Sequence, residues 1–203
     1  LYGRGAENRM SRRDGYCVVT LSWLFFTVFG MLPFYFSGSI DTITNAFFET
    51  MSGFTTTGAT ILDDIESLSH GMLFWRSLTQ WIGGLGIVFF TIAILPIFTT
   101  GGVQLFSAET TGVTHDRTHP KINVMAKWLW TIYLILTVSE TILLMFGGMD
   151  LFDAICQSFA TTATGGYSTK QNSISYWNSP YIEYVVAIFM IISSINFSLF
   201  LMC

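Results

Sequence analysis

Charge is what this sequence has least of. Asp, Glu, Lys and Arg make up 11% of its 203 residues, against 51% hydrophobic. A soluble domain carries about 25% charged residues, so a surface facing water on all sides is excluded. Cysteine is also scarce. Cys17, Cys156 and Cys203 lie in or beside apolar segments, and no two have the spacing of a disulfide or metal site. They read as small core residues. No nucleophile–base pair, phosphate-binding loop or nucleic-acid patch is present, so neither an enzyme nor a nucleic-acid-binding protein is expected. His115 and His119 flank Asp116 at metal-ligand spacing, but no other ligands accompany them, and they read as a solvated loop.

The apolar residues fall in blocks. Cys17 to Phe36 holds no charge, nor does the stretch between Arg76 and Glu109. Trp128 to Met149 holds one, Glu140, and a fourth block follows Glu183. Each is long enough for the roughly 20 residues that cross a bilayer, which predicts spans near 16–36, 76–99, 126–147 and 181–202. The first block is too long for the apolar core of a signal peptide, and no cleavage site follows it. Glu140, in mid-span, is a candidate for a bond to a neighbouring helix or for a polar cavity. Phe34, Tyr35, Phe36, Trp75, Trp128, Trp130, Tyr176, Trp177 and Tyr181 cluster at block ends, as interfacial anchors do. Gly83, Gly84 and Gly86 read as close-packing positions.

Basic residues set the orientation. Arg4, Arg9, Arg12 and Arg13 precede the first block, and Arg117, Lys121 and Lys127 lie between the second and third. Asp41, Glu49, Asp63, Asp64 and Glu66 follow the first block, and Asp150 and Asp153 follow the third. The N-terminus and the 101–125 linker are therefore expected in the cytoplasm, and the acidic segments outside.

The chain also repeats itself. With Thr57-Gly58 placed over Thr164-Gly165, each copy reads span, half-length amphiphilic stretch, Thr-rich glycine turn, span. The half-length stretches run from Asp41 to Phe54 and from Asp150 to Thr161, with Ser39, Asp41, Asp150 and Asp153 as helix-start signals. Such stretches are too short to span and suit re-entrant segments. Irregular backbone at membrane depth is tolerated where it is buried in protein or lines a watery cavity. The turns carry the chemistry of a cation site. A dehydrated cation needs oxygens, which selectivity filters supply from backbone carbonyls, and glycine admits the positive φ angles that align them. Thr55-Thr56-Thr57-Gly58 and Thr162-Ala163-Thr164-Gly165 are the candidate ion-binding segments.

Phe48 to Thr60 (FETMSGFTTTGAT), Trp75 to Ile87 (WRSLTQWIGGLGI), Phe159 to Thr169 (FATTATGGYST) and Asn196-Phe197 resemble the pore loops and neighbouring helices of the Trk/Ktr/HKT potassium transporters, most of all the pore subunit of the bacterial Trk system. The resemblance covers nearly the whole chain. It implies an all-α membrane protein of potassium-channel-like units: a cytoplasmic segment at 1–15, a first pore unit at 16–100, a linker at 101–125 and a second pore unit at 126–203. It further implies potassium uptake across a bacterial inner membrane, with potassium held at Thr56, Thr57, Ala163 and Thr164 as substrate and no cofactor. The implied partners are two further pore units, a second copy in a homodimer, the lipid bilayer and a cytoplasmic nucleotide-binding regulatory subunit. Two other readings stand beside this one. A dimeric two-pore-domain cation channel fits the repeat count but calls for a Thr-Val-Gly-Tyr-Gly run. A non-conducting membrane scaffold leaves the paired turns unexplained.

Overall fold

The computed structural model describes residues 12–86 and 119–195, with side chains over 16–86 and 127–195. The described residues form helices α1 (Arg12–Gly30), α2 (Leu32–Phe36) and α3 (Ile43–Phe54), then α4 over 70–86, α5 (His119–Phe146), α6 (Leu151–Thr162) and α7 (Pro180–Ser194), with a 3₁₀ turn at Ser173–Trp177. Most of the expected linker lies outside the described residues, as do Asn196-Phe197, Cys203, the sites of His115, Asp116 and Arg117, and the far part of the second block.

The stretches Tyr16–Phe36 and Lys127–Phe146 are long and apolar enough to cross a membrane. The first is not one straight helix: it breaks at Met31, two residues before Pro33. Trp75 donates its indole N–H to the Gly30 carbonyl at this break, at 3.0 Å, so it is a packing residue and not a free interfacial anchor. Phe34 also departs from that expectation, being buried against Ile40 and Ala46. Tyr35, Phe36, Trp128 and Tyr176 are exposed. Cys156 is buried as expected, but Cys17 is exposed on the outer side of α1 and is no core residue.

Helices α3 and α6 are the two short ones. Each has 12 residues, a length of about 18 Å against a hydrocarbon core of about 30 Å. The sequence placed their start signals at Ser39 and Asp41 for the first and at Asp150 and Asp153 for the second. In the first helix the cap is instead Thr42, whose hydroxyl accepts the Asn45 N–H at 3.3 Å, and no acid lies in its first turn. In the second, Asp150 caps Phe152 N–H at 3.1 Å and Asp153 sits in the first turn, as expected. A cap side chain satisfies one of the N–H groups that a helix start leaves unpaired, and Thr, though less favoured than Asp, does so as well.

The helices pack through polar as well as apolar side chains. Helix α6 lies along α5, with Thr141 and Ser158 hydroxyls 2.7 Å apart, and an apolar core of Leu144, Met149, Ala154, Ile182 and Phe189 joins α5, α6 and α7. Ala46 in α3 and Ala154 in α6, each the fourth residue of its helix, are both fully buried. Glu140 is fully buried as well. Thr161 and Thr162 of α6 lie close enough to act on its carboxyl, although neither makes a hydrogen bond of good geometry to it. Elsewhere the outer faces are apolar: Phe25 and Phe29 on α1, Ile135 and Ile142 on α5, and Tyr184, Ile188 and Ile191 on α7 are all exposed. Long apolar faces of this kind are unfavourable in water and suit lipid or further protein.

Candidate functional site: two converging glycine turns

Each short helix ends in a turn of the same form. Thr55 has φ −81° and Ala163 φ −79°. The next residues, Thr56 and Thr164, both have φ 53°, and two residues further Gly58 and Gly166 have φ 76° and 84°. Thr57 and Gly165, between them, have no positive φ. The sign of φ thus alternates twice in succession along each turn. The hydrogen bonds match as well. Thr56 and Thr57 N–H donate to Gly53 and Ser52 carbonyls, and Thr164 and Gly165 N–H donate to Thr161 and Ala160.

This geometry corrects the register read from the sequence. The counterpart of Thr57-Gly58 is Gly165-Gly166, one residue later than Thr164-Gly165. The left-handed glycine of the second turn is Gly166. Thr162, counted among the ion-binding residues, is instead the last residue of α6, buried with its hydroxyl 3.5 Å from Thr137. Two adjacent glycines offered the sequence no way to choose between them, and only the dihedrals decide.

Alternating handedness turns successive N–H groups toward one side, and so turns the carbonyls toward the other. Here the N–H groups of Thr55, Thr56 and Thr57, and of Ala163, Thr164 and Gly165, are tied back into the helix ends. Among the described residues, no hydrogen bond reaches the carbonyls of Thr55, Thr56, Thr57 and Gly58, or those of Ala163, Thr164, Gly165 and Gly166. Threonine at positive φ is rare, because a β-branched side chain crowds the backbone there, and such strain persists only where the surroundings enforce it. Two hydroxyls of the first turn serve the turn itself. Thr55 Oγ1 donates to Met51 O at 2.7 Å and lies 2.8 Å from Thr57 Oγ1.

The turns meet. A Cβ built on Gly58 would collide with the carbonyl oxygen of Gly165, so the two segments share one locus although more than 100 residues separate them. Behind them lies a buried polar cluster that the sequence reading missed. Arg76 Nε donates to Glu49 Oε1 at 2.7 Å, and both side chains are buried. Glu49 also accepts from Thr60 Oγ1 at 2.9 Å and from Ile61 N–H at 3.0 Å. Arg76 Nη1 donates to Ser168 O at 3.0 Å, and its guanidinium lies 3.6 Å over the Tyr167 ring. Tyr167 donates its hydroxyl to Glu49 O at 2.9 Å and its N–H to Gln80 Oε1 at 3.1 Å. The sequence reading counted Glu49 among the outer acids and took Arg76 as the edge of the second block, without pairing them. The signal available was that Arg76 stands among apolar neighbours where a basic residue has no solvent.

The family described as cation transport protein, TrkH, matches residues 4–203. The chain belongs to the TrkH family. It is 48% identical over 198 residues to the Trk system potassium uptake protein TrkH of Escherichia coli strain K12, covering 97% of this chain and 41% of that protein. It is 36% identical over 193 residues to the Trk system potassium uptake protein TrkG of the same strain, covering 94% of this chain and 40% of that one. The crystal structure of the potassium transporter TrkH from Vibrio parahaemolyticus matches with a TM-score of 0.80 at 37% identity, over 95% of this chain and 38% of that one. The chain thus spans about two fifths of the length of these TrkH-family relatives, and its all-helical fold is theirs.

Proposed function

We propose that this segment supplies two selectivity-filter strands of a potassium uptake pore, the first at Thr55–Gly58 and the second at Ala163–Gly166. The observation that carries this reading is the meeting of two turns with the same alternating backbone, both leaving their carbonyls without hydrogen bonds. Carbonyls presented in this way replace the water of a dehydrated cation. Helices α3 and α6 end at the turns, so their negative ends favour a cation there. In this proposal potassium is substrate, coordinated by backbone oxygens of Thr56, Thr57, Thr164 and Gly165. Further pore units complete the ring. A second copy, a cytoplasmic nucleotide-binding subunit and an inner-membrane location belong to the same proposal.

The test is complementation. Full-length TrkH of E. coli, with this segment in place of its own homologous stretch, is expressed in a strain without potassium uptake. Growth at low potassium and rubidium uptake are expected, and failure of both at normal membrane levels would sink the reading. Within that protein, Thr57→Val removes one hydroxyl bonded within the turn but keeps the carbonyl. Its potassium-over-sodium ratio is expected to stay within about twofold of the parent, since a hydrogen bond of this kind contributes about 1 kcal/mol and backbone oxygens do the coordination. A tenfold loss would make the hydroxyl the ligand.

The orientation is tested separately. A cysteine in place of Asp63, exposed in the loop after the first turn, is expected to react with an impermeant thiol reagent added outside. One in place of Lys127, exposed near the start of α5, is expected to react only after the membrane is opened. The reverse pattern would invert the topology.

A further inference from the structure

We infer that Arg76, held by Glu49 and Tyr167, is a positioning residue that sets the separation of the two filter strands and so the ion preference of transport. The inference rests on the pore reading above. Its starting point is where the cluster attaches. Ala59 follows the left-handed Gly58, and Tyr167 follows the left-handed Gly166. The Tyr167 hydroxyl reaches Ala59 O at 3.3 Å as well as Glu49 O. Ser52, in α3, donates to the same Ala59 carbonyl at 2.6 Å. Arg76 reaches across to the Ser168 carbonyl while its other face pairs with Glu49. The bonds that Arg76 and the Tyr167 hydroxyl make across the two units land within two residues of a filter glycine or on the helix that feeds it.

A buried ion pair is not itself a reason for stability, because desolvation offsets much of the attraction. The second unit makes the same point. Gln157 holds the seventh position of α6, as Glu49 holds the seventh of α3. Among the described residues its side chain bonds only to the Thr161 hydroxyl, at 3.3 Å, and its carbonyl oxygen is buried without a partner. A short helix of this kind therefore folds without the ion pair. What the pair adds in the first unit is a rigid bridge: a planar guanidinium held on one edge by a carboxylate, on another by a carbonyl, and on its face by an aromatic ring. Lysine offers one compact charge and cannot reproduce that geometry.

Charge supplies a second consequence. Glu49 neutralises Arg76 beside a cation path, so Glu49→Gln leaves an uncompensated positive charge there. The double variant Glu49→Gln/Arg76→Met removes the bridge but leaves no charge.

The experiment uses the full-length E. coli TrkH carrying this segment, with membrane amount measured for each variant. Tyr167→Phe keeps the ring and removes only the hydroxyl. It is expected to reach the membrane normally and to lower the potassium-over-sodium ratio severalfold, raising KM for potassium more than it lowers the maximal rate. Glu49→Gln is expected to raise KM further than the double variant does. Arg76→Lys is expected to lower the ratio as well, although it keeps the charge. A variant lost from the membrane drops out, and the isosteric Tyr167→Phe then decides. If Tyr167→Phe keeps the parental ratio and KM while Gly58→Ala loses selectivity, the strut is only structural and the inference falls while the pore reading stands. If Gly58→Ala also keeps its selectivity, the pore reading falls, and this inference with it.

Discussion

Gly58→Ala is expected to cut the preference for potassium over sodium at least tenfold, and to do more damage than the same change at Gly166. Both glycines have φ in the left-handed region, where a side chain costs about 1–2 kcal/mol. Selectivity is a difference of small free energies, and about 1.4 kcal/mol is already a factor of ten. Gly166 carries only that dihedral cost, since nothing lies within 4 Å of a Cβ built there. Gly58 carries a second one, because its Cβ would strike the Gly165 carbonyl oxygen. That oxygen cannot move without losing its aim. Asparagine tolerates the left-handed region better than other residues with side chains, so Gly166→Asn should recover much of what Gly166→Ala loses, and Gly58→Asn should not. Rubidium and sodium uptake, normalised to membrane amount, measure the series. Equal losses at Gly58 and Gly166 would mean that the two turns do not bear on each other.

Gly165 behaves differently, and it shows where the sequence stops being informative. Its φ is not positive, so a side chain there meets no dihedral penalty, but its Cβ would run into the Gln80 side chain. The composition, the charge-free blocks, the short half-helices and the presence of two glycine turns were all legible in the residues, because hydropathy and helix length dictate them. The register was not. A shift of one residue leaves Thr-Gly over Thr-Gly, and only the backbone angles tell Gly165 from Gly166. The cap of α3 was misplaced for a related reason: Ser39, Asp41 and Thr42 are all competent caps, and the choice depends on how the chain leaves α2. The Glu49–Arg76–Tyr167 cluster was hidden because it is built from three separate stretches. Each residue falls in a different one of the resembling stretches, and nothing in the sequence pairs them. Cys17 failed as a core residue because an apolar helix in this chain has an outer face as apolar as its inner one, so hydropathy does not say which side is buried.

Gly83→Ala is expected to be the most destabilising single-methyl change in α4, and Gly86→Ala, three residues on, to be neutral or better. The sequence assigned Gly83, Gly84 and Gly86 one role, close packing, but the structure separates them. A Cβ on Gly83 would press into the Phe54 backbone, at its carbonyl, with the carbonyl carbon 2.7 Å away. Phe54 is the last residue of α3, so the obstruction is main chain at the root of the first turn and has no rotamer to yield. A Cβ on Gly84 would lie 2.6 Å from the Tyr133 hydroxyl and 3.0 Å from the Ala163 backbone, an intermediate case in which the tyrosine could shift but would strain its 3.1 Å bond to Trp81 O. At Gly86 the nearest atom is a ring carbon of Trp23, at an ordinary 3.5 Å. There alanine should benefit from its better helix propensity, by up to about 1 kcal/mol. Forcing an extra methyl into a packed interior costs about 1–3 kcal/mol, and the rigid neighbour puts Gly83 at the upper end. Thermal unfolding of detergent-solubilised full-length E. coli TrkH carrying this segment should show a midpoint about 3 °C lower for Gly83→Ala, a smaller drop for Gly84→Ala and none for Gly86→Ala. Because α4 bears on the end of α3, the Gly83 variant should lose ion preference along with stability. A variant that lost stability but kept the parental potassium-over-sodium ratio would show that the helix can move without moving the turn.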